Sequence, residues 1–218
     1  MNNWRIVERT DTVFKDRVEA GELLARELGD YIEQHPIVLG IPRGGVVVAG
    51  VIVKKLGADL ELVLARKLRV PGQPELAFGA IAENGYYSLN HDLIRMIGIS
   101  EDSIKQEMTF QAAEIERRKQ LFRKVKSKIP LTGRVVIITD DGVATGETFK
   151  TALNAVRQEQ PEKIIAALPV GSENTIIDLA RIADQVLCLR CPAVFRAVGQ
   201  FYRYFDQIED DETLAILV

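Results

Sequence analysis

The chain has 218 residues and a formal net charge of −3 at pH 7. That balance gives no general attraction to nucleic acid or to an anionic membrane, so we expect neither as a partner. Apolar residues make up 47% of the sequence, but none of the apolar runs approaches the ~20 residues that span a bilayer. The N-terminus also lacks the apolar segment of a signal peptide, so we expect a cytoplasmic protein that folds as a single domain over residues 1–218.

The first part of the chain predicts a leading helix, followed by two strands that flank a second helix. Apolar residues recur at helical spacing from Phe14 to Ile32, which predicts an amphipathic helix over about 14–33. Gly57 ends the next helix. The elements predicted after the leading helix are a strand at Ile37–Ile41, a helix at Val46–Leu56 and a strand at Leu60–Ala65.

The middle of the chain predicts a hairpin and then a long charged helix. Phe78–Ala82 and Tyr86–Leu89 are strand-like, and Asn84-Gly85 between them is a hairpin signal. Ser100 is a suitable N-cap for a helix in an insertion over about 100–128. The basic run in the last turns of this helix indicates either a nucleic-acid-binding face or a solvated helix end that suits the helix dipole; we prefer the second interpretation.

The second half of the chain alternates strands and helices. The four apolar residues Val135-Val136-Ile137-Ile138 predict a strand, Arg134–Thr139, that is buried on both faces. The whole order predicts an α/β fold with a mainly parallel sheet and helices on both faces, and with a core over about 37–190. The later elements are helices at Thr148–Gln158 and Asn174–Ile182 and strands at Lys163–Leu168 and Gln185–Leu189.

The tail over 191–218 is rich in aromatic residues and ends in an acidic stretch. It fits equally well a small hood over a site and a packed C-terminal helix. Just before it, Cys188 and Cys191 form a C-x-x-C pair. A redox pair or half of a zinc site are the functional interpretations, but the histidines His35 and His91 are distant in sequence. We prefer a buried Cys188 in the last core strand and an incidental Cys191.

The segment Asp140–Thr148 carries the strongest chemical signal in the sequence. A buried strand ends in two adjacent acids, and a turn rich in Gly and Thr then opens a helix. Unpaired backbone N–H groups at such a helix start bind phosphate well, and Thr145 and Thr148 add hydroxyl donors. The two carboxylates would repel a phosphate, so ribose hydroxyls, alone or with Mg²⁺, are suitable partners for them. The spacing fits neither the P-loop nor the dinucleotide-binding fingerprint.

This stretch resembles the phosphoribosyl pyrophosphate motif of the type I phosphoribosyltransferases, in which four apolar residues and two acids precede a turn ending T-G-x-T. The resemblance implies that the two acids contact the ribose hydroxyls and that the turn cradles the 5-phosphate. The residues it assigns to phosphoribosyl pyrophosphate are Asp140, Asp141, Gly142, Val143, Ala144, Thr145, Gly146, Glu147 and Thr148.

Two further segments agree with the resemblance. Arg43, Gly44 and Gly45 follow the first core strand, at the family's place for the pyrophosphate loop. Loops of that kind often carry an unusual peptide, so we predict a cis bond or a glycine with positive φ within these three residues. All the segments follow predicted strands, and the carboxyl ends of parallel strands meet at one edge of a sheet, so they can converge on one crevice.

Arg66 and Lys67 begin a segment that is similar to the catalytic flexible loop of the adenine and orotate enzymes. Because little in Arg66–Ala77 is apolar, we expect a mobile loop there. The resemblance makes Arg66 and Lys67 catalytic residues, together with Asp140 and Asp141, with the two cations stabilising the pyrophosphate as it leaves.

The resemblance implies an Mg²⁺-dependent pentosyltransferase that moves ribose 5-phosphate from phosphoribosyl pyrophosphate to a nitrogenous base. Mg²⁺ would bridge the pyrophosphate and the ribose hydroxyls, so no side chain is predicted to ligate the metal directly. We also expect a homodimer. Ala144 stands where the hypoxanthine–guanine enzymes carry an Asp, which disfavours a 6-oxopurine acceptor. The pattern also resembles a bacterial and archaeal branch of the family whose base is not established. A regulator that binds the same ligand without turnover and a hydrolase of a ribose phosphate compound are the alternatives.

Overall fold

The structure is a computed structural model that describes residues 2–218, apart from the side chains of Pro74 and Glu75. Nine strands form two sheets, and seven α-helices and two 3₁₀ segments connect them. The strands are β1 Trp4–Glu8, β2 Ile37–Gly40, β3 Asp59–Leu62, β4 Ala65–Val70, β5 Gln73–Ala82, β6 Tyr87–Leu89, β7 Val135–Thr139, β8 Lys163–Val170 and β9 Gln185–Arg190. The helices are α1 Arg17–Glu27, α2 Gly44–Leu56, α3 His91–Ile97, α4 Glu101–Arg123, α5 Glu147–Arg157, α6 Glu173–Leu179 and α7 Asp210–Leu217, and the 3₁₀ segments are Gly29–Gln34 and Val198–Phe201.

The main sheet has six strands in the order β1-β9-β8-β7-β2-β3, and every neighbouring pair is parallel. All five residues of β7 are buried, as its run of β-branched residues predicts. The predicted α/β fold with a parallel sheet is therefore confirmed. β1, which lies at one edge beside β9, was not predicted from the sequence.

Helices cover both faces of the main sheet and define two hydrophobic cores. One core includes Leu24 of α1, Ile52 of α2 and Phe122 of α4. The other includes Phe149 of α5 and Ile176 of α6. Side chains of the parallel strands alternate between the two cores, which explains why these strands are apolar throughout.

The leading helix is shorter than predicted. α1 begins at Arg17, where Asp16 caps it by accepting the Glu19 N–H at 2.9 Å, and a 3₁₀ segment replaces its predicted last turns. Phe14 is fully buried but lies in a bridge to Tyr202, outside the helix. Val18 lies within α1 but is exposed, and Ile32 lies in the 3₁₀ segment. The apolar spacing from Phe14 to Ile32 therefore combines residues from different elements.

The predicted mobile loop over Arg66–Ala77 is instead the hairpin of β4 and β5, which belongs with β6 to a separate antiparallel sheet. The low apolar content of this segment suggested a mobile loop, but Leu68 and Val70 are buried in the hydrophobic core. The predicted strand over 60–65 is also divided, since β3 ends at Leu62 and β4 begins at Ala65. The hairpin predicted at Asn84-Gly85 is present, and Gly85 has φ 83°.

The tail both approaches the main sheet's carboxyl edge and ends in a packed helix. Phe201 and Tyr202 are buried, and the Phe14 N–H donates to the Phe201 carbonyl at 2.7 Å. α7 packs so closely on α2 that a Cβ at Gly50 would lie 2.7 Å from Ile216. The interpretation as a packed C-terminal helix therefore describes α7, and the hood stays a prediction.

Both cysteines are buried and carry free thiols. Cys188 lies in β9 as predicted, and burial raises the pKa of its thiol. Nothing in the sequence indicated burial of Cys191, but this residue is also buried. Within residues 2–218, none of the helices is long and apolar enough to cross a membrane.

Candidate active site

A crevice of about 320 Å³ opens between the carboxyl end of β7 and the β4 strand of the small sheet. The segment Asp140–Thr148 forms one wall, and Arg66 and Lys67 lie on another. Two of the three segments that were predicted to converge thus line the crevice, although Arg66 and Lys67 lie within β4 and not in a loop directly after β3. The remaining lining residues are Ile41, Pro42, Ala65, Arg69, Arg118, Phe149 and Val198.

The two acids at the end of β7 form a tightly packed pair. The Asp141 N–H donates to Asp140 Oδ1 at 2.8 Å, and Arg17 Nε donates to Asp141 Oδ2 at 2.8 Å. The Tyr202 hydroxyl donates to the Asp141 carbonyl at 2.5 Å. Hydrogen bonds therefore engage one carboxylate oxygen of each acid and leave Asp140 Oδ2 and Asp141 Oδ1 as acceptors without a partner in the described part of the chain.

Burial dominates the electrostatics of this pair. It raises the pKa of Asp140 well above its ordinary value, and the neighbouring Asp141 charge raises that pKa further. Burial also raises the pKa of Asp141, while the Arg17 guanidinium opposes this effect through its charge and its hydrogen bond. A ligand that supplies hydroxyl donors or nearby positive charge would favour the ionised forms of both acids.

The predicted pyrophosphate loop lies directly against the acid pair. A Cβ at Gly44 would collide with Asp141 Oδ2, and a Cβ at Gly45 would lie 2.8 Å from Asp140 Cα. Close approach, and not a special backbone conformation, therefore requires glycine here. Neither glycine has positive φ, and the cis peptide is Pro42–Arg43, one bond before the predicted segment.

Arg43 itself is directed away from the acid pair. Its guanidinium forms a 2.8 Å ion pair with Glu209, which precedes α7, and it does not line the crevice. The structure therefore brings the two glycines of the predicted pyrophosphate loop to the acids but places the arginine side chain against the tail.

The turn after the acids ends in an open helix start. Gly146 is the N-cap of α5 with φ 75°, and among the described residues no side chain caps the first helical N–H groups. The hydroxyl Oγ1 of Thr148 is buried without a hydrogen-bond partner in the described part of the chain. Thr175 donates to the Ala144 carbonyl at 2.6 Å and so holds the turn in place. Unpaired donors at a helix N-terminus are suited to a phosphate group.

Glu147 is the one acid within this turn, and Lys150 neutralises it. Lys150 Nζ lies 3.1 Å from Glu147 Oε1 and 3.1 Å from Asp178 Oδ2. Because Lys150 pairs with the Glu147 carboxylate, this acid repels an anion at the helix start less than an unpaired carboxylate would.

Positive charge lines the wall opposite the acids. Arg66, Lys67 and Arg69 come from β4, and Arg118 comes from α4. Arg66 Nε donates to Gln111 Oε1 at 2.5 Å. Burial lowers the pKa of Arg66, and the positive charge of Arg118 lowers it further. The basic end of α4 is thus only partly a solvated surface, because Arg118 faces the crevice.

Several residues of this site could not be identified from the sequence. Arg118 lay in a basic run that gave no sign of which arginine turns inward, and Arg17 and Tyr202 are distant in sequence from the acid that they contact. For Arg69, the signal was the alternation of charged and apolar residues through Lys67-Leu68-Arg69-Val70, which is typical of a strand with one buried face.

The described residues contain no group of three or more His, Cys, Asp or Glu side chains that could hold a metal ion by themselves. The acid pair offers one free carboxylate oxygen from each residue. That set fits Mg²⁺ only where a ligand supplies most of the oxygens, since Mg²⁺ prefers octahedral oxygen coordination.

Comparison with known proteins gives consistent results. The family model described as "Phosphoribosyl transferase domain" matches residues 16–205. A Mycobacterium tuberculosis H37Rv protein, Rv0571c, which is provisionally named a phosphoribosyl transferase, is 44% identical over 205 residues, or 94% of this chain and 46% of that protein. The chain thus spans about half the length of the curated relatives it matches. The crystal structure of TT1426 from Thermus thermophilus is 39% identical, covers 94% of this chain and 98% of its own, and superposes with a TM-score of 0.78.

Proposed function

The chain belongs to the type I phosphoribosyltransferase family, and from this premise we propose that it transfers ribose 5-phosphate from phosphoribosyl pyrophosphate to a nitrogenous base. The observation that carries the proposal is that one crevice combines free carboxylate oxygens with an uncapped helix start. Acceptors for sugar hydroxyls and donors for a phosphate thus lie on the same wall. A ribose 5-phosphate presents both kinds of group.

The acid pair supports the ribose assignment. Asp140 Oδ2 and Asp141 Oδ1 would accept hydrogen bonds from the 2- and 3-hydroxyls, while Arg17 and the Asp141 amide hold the carboxylates in position. Hydrogen bonds to ionised acceptors are stronger than those between neutral groups, so a fixed carboxylate pair is an effective sugar clamp.

The start of α5 supports the assignment of the 5-phosphate. Backbone N–H groups from Ala144 to Thr148 and the buried Thr148 hydroxyl would donate to its oxygens. The helix dipole adds a favourable positive potential at this position. The pyrophosphate would then extend toward Gly44 and Gly45 on one side and toward Lys67 on the other.

Mg²⁺ is proposed as the cofactor. When bound, it would supply charge neutralisation to the pyrophosphate, coordinated mainly by oxygens of the ligand itself. The chain's own contribution is to orient those oxygens, because Asp140 and Asp141 fix the ribose hydroxyls.

In the proposed reaction, the bond between the anomeric carbon and the pyrophosphate oxygen breaks, and a bond from that carbon to a base nitrogen forms. Arg66 and Lys67 would stabilise the negative charge that develops on the leaving pyrophosphate. Ala144 offers no group for proton transfer within the loop, so the nitrogen's proton leaves by another route. Catalysis would rest mainly on positioning and on electrostatic stabilisation.

The test is a panel of purine and pyrimidine bases with phosphoribosyl pyrophosphate and Mg²⁺, read by pyrophosphate release. We expect at least one base to support release in the parent protein and none in the Asp140→Asn, Asp141→Asn double variant. Calorimetric titration of phosphoribosyl pyrophosphate into both proteins completes the design. Tight binding by the parent without release with any base would favour the regulator, and release without any base would favour the hydrolase.

A further inference from the structure

Arg118 lies in the insertion helix α4 and is fixed there from both sides. Ile115 and Phe122, three residues before and four residues after it, are buried in the core. Residues at these spacings share one helix face, so the anchors turn Arg118 inward as well. At the end of the helix, Arg123 forms a 2.8 Å ion pair with the fully buried Glu61. The helix therefore presents Arg118 to the crevice from a rigid position.

The guanidinium of Arg118 is only partly neutralised. Its side chain is 15% exposed, and it lies 3.1 Å from Glu114 Oε1 and 3.7 Å from Asp210 Oδ1. Arg117 pairs with the same two carboxylates, and Arg66 lies 3.8 Å from Glu114. Three guanidinium groups thus share two carboxylates, which leaves one positive charge in excess.

This excess charge stands at the crevice. Arg66 and Arg118 both line it, and so do Lys67 and Arg69. Arginine does not lose its proton in proteins, so such a cluster is relieved only by an anion. The fork of a guanidinium matches the paired oxygens of a phosphate group.

We propose that Arg118 is a further pyrophosphate-binding residue, which contacts the leaving group from the side opposite Gly44 and Gly45. This assignment rests on the proposed function and extends it, because it gives the insertion helix a part in the site. In this arrangement, the oxygens of the leaving pyrophosphate are surrounded by Arg66, Lys67 and Arg118. The first two side chains come from the strand β4, and Arg118 comes from the helix α4.

The chain provides a matched control for the test. Arg117 is the neighbour of Arg118 and pairs with the same carboxylates, but it is about half exposed and does not line the crevice. Binding of inorganic pyrophosphate with Mg²⁺ and of ribose 5-phosphate is measured by calorimetry in the parent, Arg118→Gln and Arg117→Gln. Thermal unfolding is followed for each protein.

We expect Arg118→Gln to weaken pyrophosphate binding by about tenfold to a hundredfold, as is typical of a lost hydrogen bond to a charged group. Ribose 5-phosphate affinity should be unchanged, and Arg117→Gln should change neither. Should Arg118→Gln fail to fold, Arg118→Lys replaces it: this variant keeps the charge but loses the fork, so pyrophosphate binding should weaken selectively and by less.

The possible results distinguish a failure of the Arg118 assignment from a failure of the proposed function. If the parent binds both ligands and Arg118→Gln binds pyrophosphate as tightly as Arg117→Gln, the role of Arg118 is overturned and the proposed function stands. Equal weakening by both substitutions would also overturn it, because a general loss of positive charge would then explain the effect. If the parent binds neither ligand, the proposed function fails and Arg118 loses its role with it.

Discussion

The carboxyl of Asp140 meets two opposing demands, since ligand binding needs its charge and its surroundings disfavour that charge. Burial and the neighbouring Asp141 raise its pKa, and the Asp141 amide, Arg17 and Lys67 oppose them. Its packing against Gly45 leaves little room for water on that side. Sites that bind ligands commonly carry this kind of destabilising group, because removing it would remove the function.

Asp140→Asn should therefore stabilise the fold while it abolishes ligand binding. The asparagine carbonyl can still accept from the Asp141 N–H, and the buried charge is gone. We expect the free energy of unfolding near neutral pH to rise by about 0.5–2 kcal/mol, the usual range for a single stabilising substitution. Urea denaturation measures this, and Asp92→Asn on an exposed side chain is the control.

The same substitution has a predictable pH dependence. The pKa of Asp140 is higher in the folded protein than its value of about 3.9 in an unfolded chain, so the folded state binds the proton more tightly. Stability from this group is complete below the unfolded pKa and is lost as pH rises through the folded pKa. The advantage of Asp140→Asn should grow across that window, and an advantage that stays constant with pH would contradict the assigned cause.

At the scale of elements, the hairpin of β4 and β5 determines how the cations reach the crevice. Along β4, buried Leu68 and Val70 alternate with exposed Lys67 and Arg69. A two-residue period places one set in the core and the other set on the open face. Because the same strand carries both sets, the core contacts of the hairpin fix the positions of its charges.

Leu68→Ala should loosen this hairpin and cost about 2–5 kcal/mol of folding free energy, because the side chain is fully buried. We expect backbone amides of Ala65–Val70 to be protected from hydrogen exchange in the parent without ligand and to exchange faster in the variant. Leu76→Ala, on an exposed residue of the same hairpin, should cost within about 0.5 kcal/mol. Unprotected amides in the parent would restore the mobile loop that the sequence suggested.

At the scale of the whole molecule, Arg17 joins three distant parts of the chain. Its Nε donates to Asp141 at the end of β7, and its Nη1 donates to the Asp206 carbonyl in the tail at 2.9 Å. The Phe205 ring covers the guanidinium at 3.9 Å, and Tyr202 stacks on Phe205. Arg17 therefore connects α1, the acid pair and the tail, and the Tyr202 hydroxyl adds a second contact between the tail and Asp141.

Arg17→Met should destabilise the protein by about 3–5 kcal/mol, because it leaves the Asp141 carboxylate buried without its partner. Arg26→Met in the last turn of the same helix is exposed and serves as the control. Combining Arg17→Met with Asp141→Asn should recover part of the loss in urea denaturation. No recovery would show that Arg17 acts through the tail and not through the acid.

The α/β class, the central strand β7 and the loop Asp140–Thr148 could all be predicted from the sequence. These features depend on neighbouring residues: an apolar run predicts a buried strand, and adjacent acids before a glycine-rich turn predict the chemistry of the turn. The hairpin at Gly85 and the cap at Ser100 were predictable for the same reason.

The residues that complete the site could not be identified before the elements were packed together. Arg17 and Tyr202 reach Asp141 across 124 and 61 residues, and Arg118 turns inward because its anchors are buried in the core. Arg43, which local sequence assigned to the ligand, pairs with Glu209 far along the chain. A side chain's partner depends on which elements pack together, and the free energy of that packing is a property of the whole core, which no single segment of the sequence contains.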